Sequence, residues 1–69
     1  MDDELFEFLG AVFACEIQGK PYQALQHSEA VIYKAIENGD VSVFMHEGEK
    51  ALGFTLAGHH EYCQERKGM

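Results

Sequence analysis

The chain has no tryptophan, one proline and two cysteines among its 69 residues. Two thiols can close at most one bridge, which excludes a disulfide-stapled mini-protein. Cys15 sits in an apolar helical pattern, and two reduced thiols in a cytoplasmic protein are the expectation. Basic side chains are also scarce: five Lys and Arg stand against twelve Asp and Glu, for a formal charge of −7. That balance opposes binding to nucleic-acid phosphates, so no nucleic-acid partner is expected. The single basic doublet, Arg66-Lys67, falls near the C-terminus, where it suits a helix dipole. No apolar run approaches the roughly 20 residues of a membrane span, and the opening Met1-Asp2-Asp3-Glu4 reverses the charge of a secretory leader. No membrane partner is expected. There is no glycine-rich phosphate loop, no Ser-His-Asp pattern, no internal repeat and no linker.

Apolar residues are plentiful, at 46% of the chain with five Phe and three Tyr. One domain, residues 1–69, is the expectation. A domain of this size buries only about 60% of the surface its unfolded chain exposes, so it is marginal without a staple or a partner. Part of the apolar surface is therefore expected between subunits.

Residues 2–18 read as a helix. Asp2 and Asp3 offer capping oxygens and Glu4 a first-turn negative charge. Leu5, Phe8, Leu9, Val12 and Ile17 make one stripe, and Phe6 and Phe13 add a second apolar face. Such a helix has two things to pack against. Gly19 is placed to end it, and Pro21 suits the first position of a second helix. That helix carries Leu25, Ser28, Ile32, Ala35 and Ile36 inward, with Val31 beside them, and stops at Asn38-Gly39. Val41–His46 alternates as a strand, with Val41, Val43 and Met45 on one face and Ser42, Phe44 and His46 on the other. A turn at Glu47-Gly48-Glu49 leads to a return strand over 51–57, and a short helix over 59–67 closes the chain. The expected fold is α+β in the order ααββα, two helices packed on an antiparallel hairpin followed by a short helix. A lone hairpin is marginal and its edges invite another strand, so the sheet is expected to extend through a homodimer. Phe6, Phe13, Phe44 and Met45 are the candidate dimer or binding surface.

The order and register of several short words resemble a known family. These are Leu9-Gly10 in the first helix, Ala35-Ile36 closing the second, and the turn Glu37-Asn38-Gly39-Asp40 before the strand Val41, Ser42, Val43, Phe44. Gly48 in the hairpin, Gly53-Phe54 in the return strand and Ala57 complete the set. The chain resembles the N-terminal half of the toxin-activating lysine acyltransferases, GNAT-like enzymes that acylate RTX toxins from an acyl carrier protein. The likeness covers most of this chain but under half of a family member. The family's catalytic histidine would fall near Gln18-Gly19-Lys20-Pro21-Tyr22, which contains none, and its catalytic aspartate would lie beyond Met69. Neither role transfers to this chain.

The densest group of metal-ligating types is His59-His60-Glu61-Tyr62-Cys63. His59 and Cys63, four apart on a helix, face the same way at a spacing that can hold zinc. Two ligands make half a site, to be completed by dimer symmetry or by His27 or His46, so no bound metal and no cofactor is expected. His27 and His46 are also candidate bases or pH-sensitive contacts. The leading expectation is a non-catalytic homodimeric interaction module with a possible further protein partner. One alternative is an acyl-binding or acyl-transferring protein with a site assembled across a dimer. Another is an acidic inhibitor presenting Asp2, Asp3, Glu4, Glu7, Glu47 and Glu49 to a basic protein.

Overall fold

The computed structural model describes residues 2–23 and 27–68. Its elements run α1 (Asp3–Ile17), α2 (Glu29–Glu37), β1 (Val41–His46), β2 (Glu49–Phe54) and α3 (Leu56–Lys67), the expected ααββα order. α1 starts where Asp2 accepts a hydrogen bond from the Glu4 N–H at 3.0 Å. It buries Leu5, Phe8, Leu9 and Val12. Ile17, at the helix's last turn, is left 71% exposed and takes no part in the core.

α1 and α2 end in the same way. Gly19 at φ 74° and Gly39 at φ 78° adopt the left-handed conformation that lets the next amide turn back on the helix. Gly19 N donates to Glu16 O at 3.0 Å and Lys20 N to Cys15 O at 2.9 Å; Gly39 N donates to Ile36 O at 3.0 Å and Asp40 N to Ala35 O at 2.9 Å. Each pair satisfies carbonyls that a simple helix end would leave bare, the Schellman arrangement.

The segment between them differs from the expectation. Pro21 does not begin a helix. Tyr22 instead exchanges two backbone hydrogen bonds with Leu52, at 3.2 and 2.9 Å, and forms a one-residue third strand on the outer side of β2. α2 begins only at Glu29, capped by the Ser28 hydroxyl, which accepts from Val31 N at 3.4 Å. Leu25, assigned to the inward stripe, lies outside the described residues. Val31 and Ala35 are buried, and Ile32 and Ile36 pack partly buried against the core.

β1 and β2 pair antiparallel from Val41↔Phe54 to His46↔Glu49. The loop is Glu47-Gly48 alone, because Glu49 already belongs to β2. Both loop residues have positive φ, 51° and 80°, as a two-residue type I′ hairpin requires. The return strand ends at Phe54 rather than 57. Thr55 caps α3 by accepting from Gly58 N at 2.9 Å, so the helix opens at Leu56, three residues earlier than expected.

α3 packs across the second apolar face of α1. Tyr62 is 7% exposed and meets Phe6, Phe13 and Phe54 at ring-centroid distances of 5.2, 5.1 and 5.9 Å. The two faces of α1 thus have different neighbours within one core: Val31, Ala35, Val41 and Leu52 join its inner stripe, and Tyr62 stacks on Phe6 and Phe13.

Candidate functional site

The hairpin has two edges of opposite character. On β2 the N–H and C=O of Leu52 point away from β1 and bond to Tyr22. Two residues on, Phe54 N donates to the Glu16 carboxylate at 3.3 Å. That edge is covered. Inward and outward groups alternate along an antiparallel ladder, so the backbone of Val43, the register partner of Leu52, points outward on the far side, as do those of Val41 and Met45. Among the described residues no strand pairs with this side of β1. It is the open edge of the sheet.

The side chains along that edge are apolar. Val43 is 49% exposed, Phe44 42% and Met45 64%. Edge strands are normally blunted by a lysine, a proline or a bulge, and β1 carries none of these. Its sequence, Val-Ser-Val-Phe-Met-His, has no Asp, Glu, Lys or Arg, although such residues make up 25% of the chain. The Phe44 ring lies over Gly53, where a Cβ would come within 3.1 Å of it.

Two clefts flank the hairpin. One, of about 500 Å³, is lined by Glu16, Lys20, Ser42, Phe44, His46 and Phe54 among others. The second, of about 340 Å³, lies between α2 and the hairpin, where Ile32, Tyr33, Ile36, Val43 and Leu52 form a mainly apolar wall that also includes Glu29 and Lys50. Val43 belongs both to this wall and to the open edge.

The residues singled out from the sequence fall in separate places. Phe44 and Met45 lie on the open edge. Phe6 and Phe13, both half-buried, stack on Tyr62 within the chain, and Arg66 lies over the Phe13 ring at 5.3 Å. His59 is exposed beside Phe13 and Phe54, at 6.0 and 5.8 Å, and Cys63 is half-buried one turn along. Among the described residues no three His, Cys, Asp or Glu side chains group so as to hold a metal ion. His27 accepts or donates at Nδ1 with the Tyr22 hydroxyl at 2.9 Å and meets the Phe8 ring edge-on at 5.3 Å. His46, at the end of β1, lines the cleft of about 500 Å³. Both cysteines are free thiols.

The acidic opening of the chain is engaged internally. Asp2 pairs with Lys34 at 3.3 Å, and Glu4 accepts from the Ser28 hydroxyl at 3.1 Å. The Glu4 amide, then the Lys34 ammonium, hold the Asp2 carboxyl below its usual pKa of 3.8. Sequence reasoning missed Asp40, which it assigned to a polar turn and which is 1% exposed. It also missed Tyr22 as a strand residue.

No protein-family model, no curated protein and no solved structure matches this chain. Among the described residues no helix is long and apolar enough to cross a membrane.

Proposed function

We propose that this protein is a non-catalytic interaction module that works as a homodimer, joined through the open edge of β1. The observation that carries the reading is the contrast between the two edges: β2 is covered by Tyr22 and Glu16, whereas β1 offers outward backbone groups beside exposed Val43, Phe44 and Met45. A second copy of β1, running antiparallel about a two-fold axis, extends the sheet to the order β2-β1-β1-β2. Self-pairing matches the chemistry of the edge. Two acidic copies meet along a strand without Asp, Glu, Lys or Arg, so no like charges stand opposite one another. On this reading the likeness to the N-terminal half of the lysine acyltransferases is one of frame, without the groups that would perform acyl transfer.

The test is hydrogen exchange at the Val43 and Met45 amides. In the dimer both are slowed, and the protection fades on dilution. Val43→Lys, at a half-exposed site, retains the helical circular dichroism and loses that protection. Rapid exchange of both amides in the concentrated wild-type protein would count against the proposal.

One observation favours the acyl-binding alternative: the mainly apolar cleft of about 340 Å³, with Lys50 and Glu29 as its charged members, a size and lining suited to an acyl chain. Titration with a fluorescent fatty acid tests it, with Lys50→Glu as the control. Absence of saturable binding removes this second reading and leaves the first unaffected.

A further inference from the structure

Asp40 joins three elements. Its N–H closes the end of α2 on Ala35 O, it directly precedes β1, and its carbonyl accepts from Thr55 N at 3.0 Å at the start of α3. The Thr55 hydroxyl also bonds to the Gly39 carbonyl. α3 closes tightly on this junction, because a Cβ on Gly58 would lie 1.8 Å from Asp40 O. The side chain is sealed beneath it. Asp40 is 1% exposed, and both carboxylate oxygens are closed to water and accept no hydrogen bond.

A buried carboxylate with no donor costs several kcal/mol and is not a stable arrangement on its own. Glu61, three residues beyond Gly58 on α3, brings a second carboxyl to Asp40. That contact, followed by desolvation and then by the negative charges of Asp40 and Glu65, holds the Glu61 carboxyl above its usual pKa of 4.5; the positive amino terminus acts weakly in the opposite sense. Two ionised carboxylates have no hydrogen to share, whereas a carboxyl and a carboxylate do. No water-sized sphere reaches the Asp40 oxygens, so a hydrated cation does not fit there and a proton does.

We infer that Asp40 and Glu61 form a proton-sharing latch, one carboxyl donating to one carboxylate, that ties α3 to the α2–β1 junction and slackens when the proton is lost. The folded chain then holds this proton more tightly than the unfolded chain. Its contribution to stability is fully present near pH 4.5 and below, and is lost as pH rises through the raised Glu61 value. The net charge of −7 is also relieved by acid, so a rise in melting temperature on acidification is not diagnostic by itself.

The test compares the wild type with Asp40→Asn and Glu61→Gln between about pH 7.5 and about pH 5. Each amide supplies a permanent donor to the remaining carboxylate. Both variants therefore melt higher than the wild type at the upper pH, and both gain less on acidification. Parallel melting curves for all three proteins would overturn the latch. Carbon-13 NMR titration of the Glu61 carboxyl gives a second readout. It titrates above 4.5 in the wild type and returns toward 4.5 when Asp40 is replaced. An ordinary Glu61 titration in the wild type would also overturn the proposal, even if Asp40→Asn failed to fold. Glu61 is exposed whereas Asp40 is buried, so Glu61→Gln is the safer variant. Neither readout depends on the state of the β1 edge.

Discussion

Tyr22 and Leu52 exchange a reciprocal pair of backbone hydrogen bonds, 3.2 and 2.9 Å long, across a single-residue bridge. That bridge makes β2 the middle of the sheet and leaves β1 as its open side. It also places the Tyr22 ring, which is 4% exposed, edge-on to Phe8 at 5.4 Å in the core. The asymmetry of the sheet therefore follows from one residue of a connecting segment.

The dimer proposed on that asymmetry has an unusual salt response. Its contact strand is uncharged while the two copies each carry −7, so their long-range interaction is repulsive. Raising ionic strength screens the repulsion and tightens association, which titration by fluorescence anisotropy or sedimentation at several salt concentrations would register. An interface built on ion pairs would weaken under the same change.

Gly58→Ala tests the close approach of α3 to the α2–β1 junction. The added methyl would lie 1.8 Å from a backbone oxygen, where no side-chain rotation relieves it. The helix must shift, and a loss of about 3 kcal/mol is expected in urea denaturation. Gly10→Ala serves as the contrast. There the nearest atom is the Tyr62 hydroxyl at 3.3 Å, the far end of a side chain that can give way, and helix propensity favours alanine.

Tyr62→Ala removes the ring on which Phe6, Phe13 and Phe54 converge. Truncating a buried aromatic costs about 3–5 kcal/mol, a large share of what a domain this small can hold. Loss of near-ultraviolet circular dichroism and of the cooperative melt is expected. Tyr62→Phe keeps the stack and should melt close to the wild type.

Glu47→Asn should stabilise the protein. Glu47 holds φ at 51° in the first position of a type I′ turn, a conformation that costs a glutamate more than an asparagine. A gain of about 0.5–1 kcal/mol is expected, read as a higher urea midpoint with an unchanged slope.

Acid should act on Asp2 in the sense opposite to Glu61. The Asp2 carboxyl is held below 3.8 by the Glu4 amide and Lys34, so its contribution is present above that value and is lost as pH falls through its folded pKa. Asp2→Asn should lower the melting temperature slightly in the neutral range, where that contribution is present, and so narrow the drop at the acid end. Because Asp2 is exposed, the effect is small.

What could be seen in the chain beforehand was mostly local. Gly19 and Gly39 announced the ends of α1 and α2 because positive φ is costly for other residues. Alternation identified β1, and Gly48 marked the hairpin. Pro21 misled, since its fixed φ suits a helix start and a strand approach equally well. The Leu52 backbone, 30 residues beyond Tyr22 in sequence, decides between them. Ser28 followed by Glu29 was a legible capping signal for α2 and would have moved its start. Thr55 likewise reads as a strand residue, since β-branched residues favour strands, although its hydroxyl caps α3. The apolar second face of α1 was visible in Phe6 and Phe13, but the segment containing Tyr62 looked polar throughout. Asp40 was hidden for a related reason: it lies at the junction that α3 closes on at Gly58, a tertiary contact with no local signature.

Sedimentation equilibrium of the wild-type chain across micromolar concentrations, beside Met45→Lys, tests the edge-pairing account most directly. Met45 is 64% exposed, so the substitution leaves the fold intact while placing a charge on the open strand. The account predicts a reversible dimer for the wild type and a monomer for the variant. A wild-type chain that stays monomeric throughout, or a dimer unmoved by the lysine, would contradict it.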